Sequence, residues 1–395
     1  MRPWQFIITT TIIGIASLAS GWHPLYLTFY VLLFSLLLSA FLSIWSRRGL
    51  AFARTLPGGR MQVGELLDER LRLENRSWLP KLWVQVVDSS TIPNHHAGYV
   101  VSMGARKRID WRVRTMCTRR GRYYIGPVVA TTGDPLGLFT RTIPLASQRE
   151  LLVLPQALPL TRFALLPGAM PGRGRGAQRS LQLTTNVVTV REYAQGDAVS
   201  HIHWPTTARL SRLMVKEFDL DPTIDIWLVL DMDITNDIGT EAQSTSEYGV
   251  TIAASLGQYL LRADLAVGLL INDGHETSLA MDRGVRQLDR LMEALAVTVP
   301  SAARPLSELL TLNEIRFIRN SVIIVITASA EEQWVVQLRQ VQRRGVKANV
   351  IAINAASFGA DWSNDNIAGV VARMGIPLMS VRQGDNIQKI LEVGA

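Results

Sequence analysis

Residues 191–218 read REYAQGDAVSHIHWPTTARLSRLMVKEF, and this stretch separates two segments of opposite character. It gathers Arg191, Glu192, Asp197, Arg209, Lys216 and Glu217 around a Gly196-Asp197 turn and one tryptophan, Trp204. Upstream, apolar and polar residues alternate with the period of β-strands. Downstream, short β-branched runs are separated by stretches of helical period. Working outward from it places an apolar N-terminal part, an all-β domain, the segment itself and an α/β domain.

The upstream end is apolar: residues 3–46 contain no Asp, Glu, Lys or Arg, a run long enough for two membrane passes. The spacing predicts helices over about 4–20 and 25–45, broken at Gly21-Trp22-His23-Pro24. Trp4, Trp22, Tyr26 and Trp45 fall near the ends, where amphipathic rings prefer the headgroup level. A signal peptide is the competing reading, since Arg2, an apolar stretch and Ser17-Leu18-Ala19 imitate one. A second uncharged run follows immediately and favours a transmembrane hairpin over residues 1–48. Arg2 precedes the hairpin and Arg47 and Arg48 close it, so the positive-inside rule places both ends, and everything that follows, in the cytoplasm.

The net charge of +8 conceals an asymmetry: residues 47–179 hold 22 Lys and Arg against 8 Asp and Glu, whereas residues 180–395 hold 18 against 25. A basic membrane-proximal half suits an anionic cytoplasmic leaflet. Nucleic acid is the rival partner for a basic surface, but no helix-turn-helix, zinc-finger spacing or RNP-like strand accompanies the charge, so no nucleic-acid partner is expected. Cys117 is the only cysteine, which excludes an intramolecular disulfide framework and a multi-cysteine metal site. Strand alternation places it on the face of Trp111 and Val113, as a packed thiol rather than a nucleophile.

Residues 49–155 predict a β-domain. Leu67, Leu71 and Leu73 alternate with Asp68, Arg70, Arg72 and Glu74, and further strands are expected over 82–86, 99–103, 109–117, 123–130 and 150–154. Short strands at this spacing suggest an immunoglobulin-like sandwich. Residues 156–180 are rich in Pro, Gly and Arg and read as a linker, and residues 181–221 carry the opening stretch. Over 222–395, strands near 224–230, 265–271, 322–327, 346–353 and 377–381 alternate with helices near 247–263, 285–296, 305–318 and 331–344 and a terminal helix. This is the pattern of a doubly wound, largely parallel sheet, whose ligands bind at the carboxyl ends of strands.

At the first of those ends stand Asp231, Asp233 and Thr235, whose oxygens could serve Mg²⁺ or Mn²⁺. His201 and His203 have the spacing of zinc ligands, but no third nitrogen or sulfur donor stands at recognisable spacing. No Gly-x-Ser-x-Gly elbow is present, and no catalytic residues are assigned.

The α/β pattern and the loop from Asp231 resemble a von Willebrand factor A domain, whose metal motif is Asp-x-Ser-x-Ser. Asp231 matches its Asp, while Asp233 and Thr235 replace the two serines. That resemblance further implies a Thr before the helix at Pro305, where Ser301-Ala302-Ala303-Arg304 stands, and an Asp after the strand at Val322, where Thr327-Ala328-Ser329 stands. The site is therefore degenerate. Arg191, Glu192, Tyr193, Gly196, Asp197, Ile202, Trp204, Ala208 and Arg209 resemble the signature of the bacterial domain of unknown function 58 family. Arg120-Gly121-x-Tyr123 and Asp134-Pro135-Leu136-Gly137-Leu138-Phe139 extend the similarity upstream, and His201 and His203 depart from it locally.

That resemblance implies a multi-pass protein of the bacterial cytoplasmic membrane working with a MoxR-type AAA+ ATPase, and sometimes with a transglutaminase-like membrane protein. The expected function is a non-enzymatic adaptor or scaffold. A metal-dependent ligand-binding domain is the first alternative, and an envelope enzyme the second. In the opening stretch, Trp204 is expected to be a buried anchor, with arginines and acids satisfying one another around the Gly196-Asp197 turn.

Overall fold

The computed structural model describes residues 3–163, 187–194, 202–218, 225–275, 277–301, 304–319 and 321–393. Gly196, Asp197 and His201 lie outside them. The chain divides into two units, Met1–Gln156 with Met292–Thr298, and Ala157–Leu291 with Val299–Ala395.

The first unit begins with two helices, α1 (Pro3–Ser20) and α2 (His23–Ser46), each long and apolar enough to cross a membrane. Their burial is inside out. The buried residues are small and polar, Thr10, Gly14 and Ser17 on α1 and Ser39, Ser43 and Ser46 on α2, while Ile12, Ile15, Leu18, Phe34 and Leu37 face outward. Small residues let membrane helices approach closely, and a Cβ at Gly14 would sit 2.8 Å from the Phe29 ring. The hydroxyls of Thr10 and Ser17 donate to backbone carbonyls within α1, so they are satisfied without water.

The β-domain follows: β1 (Leu50–Thr55), β2 (Arg60–Gln62), β3 (Leu66–Asn75), β4 (Lys81–Asp88), β5 (Tyr99–Met103), β6 (Arg108–Met116), β7 (Gly121–Ile125), β8 (Val128–Gly133), β9 (Thr140–Ala146) and β10 (Arg149–Leu154). Sheets ordered β1-β3-β6 and β5-β4-β8-β9 share a core of Leu73, Val84, Val86, Met103, Val128 and Ala130, against which Phe52 and Trp111 pack. A third sheet, β2-β10-β7, closes a second cluster containing Leu67, Ile125, Leu151 and Cys117. Cys117 is buried, and burial raises its thiol pKa, in keeping with an inert side chain.

The strand expected over 123–130 is instead two. Gly126 adopts φ +85° and Pro127 offers no N–H, so the ladder breaks there. β7 then pairs with β10, and β8 with β4 and β9, in a different sheet.

Lys81 joins α2 to this domain. Its side chain is fully buried, and Nζ donates to the carbonyls of Trp45 (3.0 Å), Ser46 (2.8 Å) and Arg48 (2.8 Å) at the end of the helix. A cation there satisfies carbonyls that have no partner within the helix and complements the negative end of its dipole. Burial lowers the pKa of Lys81 to about 8, so the ammonium form prevails at neutral pH.

The second unit holds β11 (Val187–Glu192), α3 (Trp204–Leu210) and β12 (Met214–Phe218), with β11 and β12 forming an antiparallel pair. There follow β13 (Asp225–Asp231), the small hairpin β14 (Gly239–Thr240) and β15 (Gln243–Ser244), α4 (Thr245–Arg262), β16 (Ala266–Asn272), β17 (Ser278–Asp282), α5 (Gly284–Val297, assigned to the first unit from Met292 on), α6 (Leu306–Leu312), β18 (Val322–Thr327), α7 (Gln333–Arg343), β19 (Lys347–Ile353), α8 (Asp365–Arg373), β20 (Leu378–Val381) and α9 (Ile387–Val393). The sheet runs β17-β16-β13-β18-β19-β20, parallel except for β17 at the edge.

Strands β16 and β18 are buried at every position, as strands covered on both faces are. One face carries Trp227, Val229, Ile323 and Val325 against Leu309, Trp334, Leu338 and Ile367 of the α6–α8 helices. On the other, a Cβ at Gly249 of α4 would lie 3.0 Å from Leu230 Cδ1 and within 4 Å of Ile326 and Ile353. The helix expected over 305–318 stops at Leu312, where its buried face of Leu306, Leu309 and Leu310 ends; a 3-10 turn, Glu314–Arg316, follows.

Part of the stretch expected to be a linker is held against this unit. Leu158 N donates to Ser255 Oγ (2.9 Å), Thr161 N and Oγ1 donate to Glu392 Oε1 (2.7 and 2.8 Å), and Phe163 is buried.

Candidate functional site

Parallel strands ending side by side bring Asp231, Asn272 and Thr327 together at the carboxyl edge of the sheet, from β13, β16 and β18. Asp231 is buried. Its Oδ1 accepts from Asp233 N (3.2 Å) and Asn272 Nδ2 (3.5 Å), and its Oδ2 from Thr327 Oγ1 (2.6 Å) and Asn236 Nδ2 (3.0 Å). Burial raises its pKa, against the lowering effect of these hydrogen bonds.

Asp233 and Thr235 do not converge on the same point. Asp233 Oδ1 accepts from Thr235 N (3.0 Å) and Thr235 Oγ1 (2.9 Å), capping the short 3-10 turn Ile234–Asn236. A divalent cation needs oxygens facing inward with free lone pairs. Here the neighbours of Asp231 present N–H and O–H groups to both of its oxygens, and Asp233 Oδ1 is engaged by Thr235 rather than by a group shared with Asp231. As arranged, the donor set does not fit Mg²⁺ or Mn²⁺.

Ser301, expected near this site, does reach it through the backbone. Ile234 N donates to Ser301 O (2.9 Å) and Ser301 N to Met232 O (3.1 Å). Gly274 adopts φ +75°, and a Cβ there would stand 2.8 Å from Ser301 Oγ, so this approach requires glycine. Asn272 and Asn236 escaped sequence reasoning because asparagines after strands are ordinary turn residues.

The opening stretch is differently built from its expectation. His203 is the N-cap of α3: its Nδ1 accepts from Thr206 N (3.3 Å) and lies 2.7 Å from Thr206 Oγ1. This is a capping role, not a zinc ligand's. Ile202 is buried and bridges to Val215, and Met214 and Val215 are buried beside it.

Trp204, expected inside, is 63% exposed. The reason is local: it is the first residue of a seven-residue helix, none of whose residues is buried. Leu210 and Leu213 are exposed beside it in sequence, as are Ala208, Arg209 and Arg212. Arg191 and Glu192 are exposed and Tyr193 is half-buried. Arg191 donates to the Glu192 carbonyl (3.0 Å), and Arg212 pairs with the Glu192 carboxylate (3.4 Å). The hairpin thus shows charge and apolar surface outward.

A second polar cluster, in the β-domain, has no counterpart in the sequence reading. Glu69, Asp88 and His95 place potential ligand atoms within 4.8 Å of one another, all buried. Arg54 supplies the counter-charge: its guanidinium pairs with both Glu69 and Asp88, and it is nearly as buried as they are. Burial raises the Glu69 pKa despite Arg54. For Asp88 burial also raises, but hydrogen bonds from His95, Ser90 and Arg54 outweigh it and the net shift is downward. With the guanidinium between the carboxylates, this is an internal ion network. The available signal was parity: Glu69 shares the inward face of β3 with Leu67, Leu71 and Leu73.

Residues 189–357 match the family described as protein of unknown function DUF58. The matched segment contains the signature residues Arg191, Tyr193, Trp204 and Arg209, and it lies downstream of two helices long and apolar enough to cross a membrane. Among its relatives is the uncharacterized protein YeaD of Bacillus subtilis (strain 168), 23% identical over 317 residues, covering 77% of each chain. The uncharacterized protein Rv1480 of Mycobacterium tuberculosis is 30% identical over 112 residues, covering 28% of this chain and 35% of that one. Among solved structures, the CARDB domain of the PF1109 protein from Pyrococcus furiosus overlaps 27% of this chain and 94% of its own, at 14% identity and TM-score 0.21. Proximal thread matrix protein 1 from the mussel byssus overlaps 43% of this chain and 46% of its own, at 10% identity and TM-score 0.33.

Proposed function

We propose that this chain is a non-enzymatic adaptor of the bacterial cytoplasmic membrane, anchored by α1 and α2 as a two-pass hairpin, with its immunoglobulin-like and von Willebrand A-like domains in the cytoplasm. Its partner in this reading is a MoxR-type AAA+ ATPase, as the family resemblance implies, with a transglutaminase-like membrane protein as a further associate. The observation that supports it is the outward face of the β11–α3–β12 hairpin: the signature residues Trp204 and Arg209 are exposed, where a packing role would have hidden the ring. Exposed tryptophan and arginine are the side chains most often found at the energetic centres of interfaces.

The test is co-purification of the full chain from native membranes with and without ATP, beside a Trp204→Ala/Arg209→Glu variant. An AAA+ ATPase recovered with the unaltered chain and lost with the variant is the expected result; its absence from every preparation counts against the adaptor. The Mg²⁺- or Mn²⁺-dependent alternative rests on Asp231, Asp233 and Thr235, and the inward-pointing donors around Asp231 disfavour it.

A further inference from the structure

One end of the β-sandwich meets α2. Its strands end together there: Leu50 of β1 pairs with Asn75 of β3, Glu74 with Arg108 of β6, and Lys81 of β4 with Met103 of β5. Hydrogen bonds join the intervening loops to one another and to the helix. Asn75 Nδ2 donates to Leu79 O and Gly104 O (both 2.9 Å), Arg106 N to Ser77 O (3.1 Å) and Arg76 N to Gly49 O (2.6 Å). Lys81 fixes the rim to the last turn of α2, as above.

Trp78 is 62% exposed on this rim, and its ring packs edge-on against Trp45 of α2, with centroids 5.4 Å apart. The 24 residues of α2 span roughly 36 Å, against a hydrocarbon core of about 30 Å. Trp45, one residue from the helix end, therefore lies at headgroup level if α2 spans the bilayer. Trp78 lies at the same depth, because the two rings touch.

Arg47, Arg48, Arg106 and Lys107 stand in the segments joined at this rim, all exposed and without an ion pair among the described residues, with the Arg48 guanidinium 5.6 Å over the Trp45 ring. The nearby acids are already engaged, Glu74 by Arg76 (3.2 Å) and Asp110 by Arg72 (2.6 Å) and Arg108 (3.3 Å).

We infer that this rim is a membrane-docking surface, with Trp78 seated among lipid headgroups and the rim's Arg and Lys side chains on anionic phospholipid. The inference rests on the reading of α2 as a membrane span. Tryptophan prefers the interface, and cations near an anionic leaflet are attracted to it. The docked rim and the Lys81 joint then hold the β-domain against the bilayer rather than on a free tether.

The test uses the full chain in a Cys117→Ala background, in nanodiscs of phosphatidylcholine alone or with phosphatidylglycerol. Nitroxide labels replace Leu37 on α2, Ala105 on the rim and Gln148 in the β9–β10 loop, and depth is read from collision with oxygen against a water-soluble nickel chelate. The expected result is Leu37 in hydrocarbon and Gln148 in water in both lipids. Ala105 should lose its nickel accessibility only where phosphatidylglycerol is present. Trp78→Ser/Arg106→Gln/Lys107→Gln should restore the Ala105 accessibility to that of Gln148 while leaving Leu37 unmoved. Ala105 in water with Leu37 in hydrocarbon overturns the docking alone. Leu37 in water overturns the anchor as well, and equal immersion of Ala105 in both lipids overturns the anionic partner.

Discussion

Asp231 concentrates the chemistry of the α/β unit into one carboxylate, buried and held by four donors. Its folded pKa stands above the ordinary 3.8 because burial penalises the charge. Between that value and the folded pKa, the folded chain holds a proton that the unfolded chain has released. This group's contribution to stability therefore falls as pH rises through that window. Asp231→Asn removes the ionisation. Chemical denaturation of the full chain in detergent should show the stability difference between variant and parent shifting in the variant's favour from about pH 4 towards neutrality. A difference independent of pH would sink this account. Added Mg²⁺ or Mn²⁺ should leave the parent's unfolding midpoint unchanged, since the carboxylate's lone pairs already meet protein donors. Asp231 itself was visible from the sequence as the first carboxylate after an apolar strand; Thr327 entered only as the residue standing where the resemblance implies an Asp, and Asn272 not at all, because they are 96 and 41 residues away and meet Asp231 only through strand order.

At the scale of elements, the periodic segments were readable and the joints were not. Strand β18 occupies the expected 322–327, and α4 falls within two residues of the expected 247–263, because their patterns are strong. Edge strand β17, with no fully buried residue, and α8, with two, carried too little apolar signal. The joint between α2 and β4 rests on Lys81, which period alone would place as an ordinary surface lysine. Lys81→Met keeps the length and removes the three N–H donors from Trp45, Ser46 and Arg48. The loss should cost about 2–4 kcal/mol, as for buried polar groups stripped of a charged partner. Thermal unfolding in detergent measures it, and a change within about 0.5 kcal/mol, the range of ordinary surface substitutions, would show the joint to be dispensable.

For the whole molecule, the reading turns on which side of the membrane the domains occupy. Arg2, Arg47 and Arg48 flank the apolar helices, and the proposed topology places both chain ends in the cytoplasm. A C-terminal fusion to green fluorescent protein should fluoresce and one to alkaline phosphatase should be inactive in cells. Active phosphatase would remove a cytoplasmic ATPase as a direct partner and move the basic rim to the opposite leaflet.

By itself the sequence determined the uncharged run that forms two long apolar helices, the alternation of β3, the apolar strands of the parallel sheet and the family signature. Each is written in neighbouring residues, since strand and helix periods are local. Only the tertiary structure decided the fate of polar groups on inward faces: Lys81 at the end of α2, Arg54 between Glu69 and Asp88, and Asp231 among its donors. It also turned Trp204 outward and set Trp78 against Trp45. A buried charge is stable only beside partners brought from distant strands, and no local pattern records which strands will lie side by side.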